Sequence, residues 1–211
     1  MRKTITLLTI LLACFQLSAQ YKFEPETFLG INAGQTFSKI DFIPIVNQNT
    51  LNGLNGGITY RYITESHFGL QIELNYSQRG WIEAMDDAAL SYSRSTNYIE
   101  MPFLTHLYFG GKSFRYFINL GPKIAYLLSE KESGNYASLT NAEIGKKIDH
   151  PFDYGICVGS GFELRTKIGC FLIEGRYNYG LSDIFYNSKA DAFSRSSNQV
   201  ISANLTYLVK L

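Results

Sequence analysis

Acyl-transfer or hydrolytic chemistry needs a nucleophile, a base and an orienting acid within hydrogen-bond reach. The histidine bases of this chain are His67, His106 and His150. His67 falls in a short turn, His106 near one end of an extended segment and His150 at the end of a long loop, so no Ser-His-acid set converges on the outer rim. His150 has Asp149 before it and Asp153 three residues later, but that spacing entering a strand splays the three groups, and no metal is expected there. No catalytic residue and no cofactor are therefore assigned. The larger constellation is ionic: Glu73, Glu100, Asp153, Glu163 and Glu174 against Arg61, Arg79, Arg115, Lys123, Arg176 and Lys210, set within segments that alternate with apolar residues. Charges so placed either relay protons or ions, or pair with one another for structural reasons; pairing is the expectation.

The segments that hold these charges have a period of two. Phe68, Leu70, Ile72, Leu74 and Tyr76 share one face of a strand, and Gly69, Gln71, Glu73, Asn75 and Ser77 share the other. The same pattern recurs over residues 29–38, 54–62, 98–109, 114–126, 152–163, 171–180 and 198–211, giving eight strands with 68–77. The apolar face is the richer one throughout, in a chain too short to cover it with other structure. These features predict an all-β, eight-stranded antiparallel up-and-down transmembrane β-barrel, apolar face outward.

The connections support this layout. Residues 64–67, 110–113 and 165–169 are tight turns, whereas 39–53, 80–96, 129–151 and 182–197 are long, so every long loop emerges at one end. Short periplasmic turns and long extracellular loops predict both termini in the periplasm. On the apolar face, Tyr60, Tyr62, Phe68, Phe109, Phe114, Phe162, Phe171 and Tyr207 gather at the short-turn ends. Phe37, Tyr76, Tyr126, Tyr154, Tyr177 and Tyr179 gather at the long-loop ends, making two aromatic girdles around an aliphatic band.

The polar face is then a lumen that eight strands leave just wide enough for side chains to fill. Unpaired ions there cost several kcal/mol, so Arg61, Glu73, Glu100, Arg115, Lys123, Asp153, Glu163, Glu174 and Arg176 are expected to form a structural charge network. Pro102 on the luminal side and Pro122 on the lipid side lack an amide donor and predict breaks in the ladder. Cys157 and Cys170 face the lumen on adjacent strands but about seven residues out of register, roughly 20 Å at strand rise, so two free thiols are expected.

The first residues read as a secretory signal: Arg2 and Lys3, an apolar run from Ile5 to Leu17, and Leu17-Ser18-Ala19 before Gln20. This divides the chain into a signal peptide, 1–19, and a barrel domain, 20–211. With 45% hydrophobic and 15% aromatic residues and a net charge of +1, the chain is one folded unit with no basic patch for nucleic acid. Partner binding, if specific, belongs to the long loops, where Trp81, Asp86, Asp87, Tyr92 and Tyr136 are the candidates. The expected surroundings are outer-membrane lipid, other envelope or secretion proteins at the loops, and a monomeric barrel.

Tyr98-Ile-Glu-Met-Pro102, Leu120-Gly-Pro122 followed by Tyr126-Leu-Leu, Gly159-Ser-Gly-Phe-Glu163 and Glu174-Gly-Arg-Tyr-Asn-Tyr-Gly-Leu181 together resemble the PorT-like outer-membrane β-barrel family of Bacteroidetes. The resemblance spans essentially all of the chain after the signal. It implies an eight-stranded barrel in the cell outer membrane, a founding member being associated with the type IX secretion system, and the expected function is a non-enzymatic envelope or type IX secretion-related role. It carries over no catalytic residues. A small-solute channel and an outer-membrane lipid-modifying enzyme are the alternatives.

Overall fold

The computed structural model describes residues 23–85, 87, 89–136, 144–188 and 191–211. The expected signal peptide, 1–19, and the loop candidate Asp86 lie outside the described residues. Eight strands, β1 Glu26–Ile43, β2 Gln48–Glu65, β3 Phe68–Glu83, β4 Ser93–Gly110, β5 Phe114–Ser133, β6 Phe152–Thr166, β7 Gly169–Asp183 and β8 Arg195–Lys210, pair antiparallel in sequence order. β8 pairs back onto β1, from Phe28 opposite Lys210 to Ile43 opposite Arg195, and closes the barrel. Closure leaves no free sheet edge in the bilayer, where unpaired backbone groups have no water to bond.

Side-chain exposure settles which way the wall faces. Ile31 and Leu205 are each 64% exposed, whereas Arg61 is 1% and Glu73 3% exposed. The apolar set points outward along every strand, as the alternation requires. The outward rings Tyr60, Phe109, Phe114, Phe162 and Phe171 lie toward the short turns, and Phe37, Tyr76, Tyr126, Tyr154 and Tyr177 toward the long connections.

Each proline interrupts its ladder without shifting register. β3 and β4 pair at Ile72–Phe103 and again at Asn75–Glu100, a gap that contains Pro102. β4 and β5 pair at Pro102–Lys123 and resume at Thr105–Leu120, a gap beside Pro122. Cys157 lies opposite Asn178 and Cys170 opposite Arg165, and both thiols are free and buried.

The strands run further than periodicity marks them. About 9–11 residues cross a bilayer, yet β5 has 20 and β1, β2 and β4 have 18 each. Most of the excess lies at the long-connection end, so residues 39–43, 48–53, 80–83, 93–96, 129–133, 182–183 and 195–197, expected to be loop, are strand. Beyond the membrane the outer face meets water and needs no apolar residues: Ser93, Ser95 and Asn97 alternate with inward Arg94, Thr96 and Tyr98 while pairing continues. Backbone pairing outlasts the hydrophobic signal.

Candidate functional site

The lumen is built in three layers. At the short-turn end Phe28, Ile63, Tyr108, Phe117, Cys170, Leu172 and Leu208 form a buried apolar floor. At the other end Ile40, Phe42, Trp81, Tyr92, Ile184, Phe185 and Phe193 form an apolar cap. Charged and amide side chains fill the space between. Alternation alone assigned a polar lumen throughout, and both apolar layers correct that: near each mouth an inward ring excludes water, whatever the outer face meets.

The ionic belt forms two connected groups. In the first, Arg61 donates to Glu163 at 2.8 Å and to Gln71 at 2.8 Å, and Gln71 donates to Glu73 at 2.6 Å. Arg176 takes both oxygens of Glu73, at 2.7 and 2.8 Å, and turns back to Glu174 on its own strand at 2.9 Å. Asn119 donates to Glu174 at 3.1 Å while its carbonyl oxygen meets His106 Nδ1 at 2.8 Å. The His106 Nε2 lies 4.0 Å from Glu163, beyond hydrogen-bond reach, and the circuit of bonds ends there. Gly159 makes room for it, because a Cβ there would meet Glu174 Oε1 at 2.1 Å.

In the second group Arg79 joins Glu100 and Asp153, the latter at 2.7 Å. Lys123 lies 3.6 Å from Asp153 and 3.8 Å from Glu100, and Ser182 donates to Asp153 at 2.6 Å. The Arg79 guanidinium rests 4.6 Å from the centre of the Tyr98 ring. Eight of the nine residues expected in the network thus occupy it, joined by Arg79. Sequence reading places Gln71, Asn119 and His106 on the same inward face without assigning them as links of the network.

Arg115 is the exception. It sits at the short-turn mouth, its guanidinium stacked 4.2 Å from the Tyr108 ring centre and its Nε donating to the Gly111 carbonyl at 3.2 Å. The belt has its last cation instead from Arg165, 3.4 Å from Glu163. Lys210 likewise lies at the mouth, bound to Glu26 at 2.7 Å.

The loop candidates are corrected too. Trp81 lies on β3 and Tyr92 just before β4, and both are wholly buried in the cap. Arg94 stacks over Trp81 and Phe185, bonds the Lys146 carbonyl, and pairs with Glu132 at 3.0 Å and Glu130 at 3.2 Å. Burial, then the hydrogen bond to Glu132 at 2.8 Å, push the Tyr92 phenol above the usual tyrosine range. Tyr136 packs edge-on to Tyr92 at 5.3 Å, whereas Asp87 is exposed and accepts from the Ala89 amide in a turn. Trp81 and Tyr92 are buried within the cap, and Tyr136 is partly buried against it. Of the residues weighed as a metal set, Asp149 accepts from Lys146 and the Tyr186 amide, His150 packs edge-on to the Tyr186 ring, and Asp153 belongs to the ionic belt.

Residues 16–186 match the family described as outer membrane protein beta-barrel domain, and the chain belongs to it. Its place is therefore the outer membrane. No curated protein matches the chain. Among solved structures, the outer membrane protein OprG from Pseudomonas aeruginosa aligns with TM-score 0.50 and 12% identity, covering 88% of this chain and 93% of that one. The attachment invasion locus protein Ail of Yersinia pestis aligns with TM-score 0.44 and 13% identity, covering 87% of this chain and 99% of that one. The outer membrane enzyme PagL aligns with TM-score 0.41 and 11% identity over 83% of this chain and 97% of its own. Identities this low speak for the fold alone.

Proposed function

We propose that this chain is a non-enzymatic, monomeric outer-membrane barrel with a sealed lumen, whose charges stabilise the wall and whose role is played at its surface. One observation carries the reading: the ionic belt is enclosed between an apolar floor around Phe117 and an apolar cap around Trp81, both wholly buried. A solute path needs continuous water past the belt, and two dry layers interrupt it. Each belt carboxylate is bound by an arginine of the belt. Both termini and the short turns belong on the periplasmic side and the long connections outside, the orientation that short turns favour in such barrels.

Within the family, the runs from Tyr98 to Pro102 and from Glu174 to Leu181 support a PorT-like assignment, and with it an envelope role related to type IX secretion. The long connections are the surface for partners, through exposed groups such as Asp87 and not through the buried aromatics. A strain lacking the chain tests this: altered protein secretion or surface composition with unchanged lipid A supports the proposal. Lipid A whose acyl pattern follows the amount of this chain would overturn it in favour of an enzyme.

A further inference from the structure

The short-turn mouth holds positive charge that the lumen does not need. Glu73, Glu100, Asp153, Glu163 and Glu174 are matched by Arg61, Arg79, Lys123, Arg176 and Arg165, and Glu26 is shared by Arg165 and Lys210. Arg115 and Lys112 then have no carboxylate within ion-pair distance among the described residues. Arg115 is nevertheless held in place, by the Tyr108 ring and by its Nε bond to Gly111, so its two terminal amino groups remain without a partner among those residues. A guanidinium fixed in this way has lost little further freedom to lose on binding an oxyanion, and its fork takes two oxygens at once.

Arg115 and Lys112 line one recess of about 740 Å³, with His67 and Tyr108 beside them. The turn that carries Lys112 hangs between Phe109 and Phe114, which point outward and are 51% and 57% exposed. Rings of such a girdle sit at the level of the lipid headgroups. Lys112 therefore lies in the layer where phosphate is most concentrated. The carboxylates of the recess are Glu26, already neutralised, and Glu24, exposed on its wall.

We propose that this recess binds the phosphate of a membrane phospholipid in the leaflet on the short-turn side, with Arg115 as the two-pronged donor and Lys112 as the second charge. Glu24 suits the ammonium of an ethanolamine headgroup. The recess shares Arg165 with the ionic belt and Tyr108 with the floor, but its two proposed donors, Arg115 and Lys112, belong to neither.

Native mass spectrometry of the full chain, delipidated in non-ionic detergent and titrated with phosphatidylethanolamine, tests it. One retained lipid per barrel is expected, with about tenfold weaker retention in Arg115→Gln/Lys112→Gln, which removes both charged donors. Lys112→Gln alone, on an exposed turn that does not bear on folding, should show part of that loss. Lys167→Gln, which removes the same charge from the neighbouring short turn, should leave retention unchanged. Equal retention in wild type and the double variant would overturn the proposal. So would a barrel that binds inorganic phosphate at this recess but retains no lipid.

Discussion

Arg176 on β7 reaches across the lumen to both carboxylate oxygens of Glu73 on β3, at 2.7 and 2.8 Å, although four strand steps separate β3 from β7 in either direction around the barrel. The two residues tie opposite walls together. Bidentate geometry and further bonds from Gln71 and Asn75 to Glu73 satisfy the carboxylate fully, the condition under which a buried ion pair is tolerated.

Removing one side of that pair strands two carboxylates, because Glu174 also depends on Arg176. Arg176→Met should cost about 3–5 kcal/mol, read as a lower urea midpoint of the heat-modifiable gel band. Arg176→Lys, which keeps the charge and loses the fork, should fall between the two. A loss below about 1 kcal/mol, the range of exposed pairs, would contradict the belt's structural role.

Gly159 is the spacer for the same circuit. In Gly159→Ala the new methyl displaces a Glu174 carboxylate pinned by Asn119 and Arg176. Overpacking of this kind costs about 1–3 kcal/mol. Gly175→Ala on the neighbouring strand, where a Cβ meets nothing within 4 Å, is the matched control and should be near neutral in the same unfolding assay.

Tyr92 gives the cap a dependence on alkaline pH. Its phenol is held above the ordinary tyrosine value, about 10, so the folded state keeps the proton after the unfolded chain has lost it. The stabilisation is complete below the unfolded value and declines as pH rises above it. Urea midpoints of wild type should therefore fall above about pH 10 more steeply than those of Tyr92→Phe; parallel curves would show that the phenol does not contribute.

Trp81 anchors the cap. Trp81→Ala should cost about 3–5 kcal/mol as a buried large-to-small change, with circular dichroism of the barrel retained. An effect under about 0.5 kcal/mol, as for a surface residue, would mean that the side chain lies exposed as a loop group.

Phe68 to Tyr76 on β3 shows why most of the barrel was legible in the sequence: inside the bilayer each residue meets either lipid or lumen, so polarity reports orientation directly. Above the bilayer that contrast disappears. Ser93, Ser95 and Asn97 face water outside while Arg94 faces the cap inside, and the segment reads as loop although it is strand. The floor was hidden for a related reason. Phe117, Leu172 and Leu208 are apolar on the polar face, each a local irregularity in its own strand; only closure of the sheet brings them together. Arg115 has the parity of a luminal residue, and parity says nothing of depth. Its position at the mouth follows from the register with β6, where it pairs with Glu163 in backbone terms while Arg61 and Arg165 take that carboxylate.

The sealed lumen is tested most directly by conductance of the purified barrel in planar lipid bilayers. No current steps above the lipid baseline are expected at either polarity, for wild type or for Trp81→Ala and Phe117→Ala singly, since each variant leaves the opposite apolar layer closed. Reproducible steps in wild type that change size on Glu163→Gln would place water and ions in the belt and contradict the account.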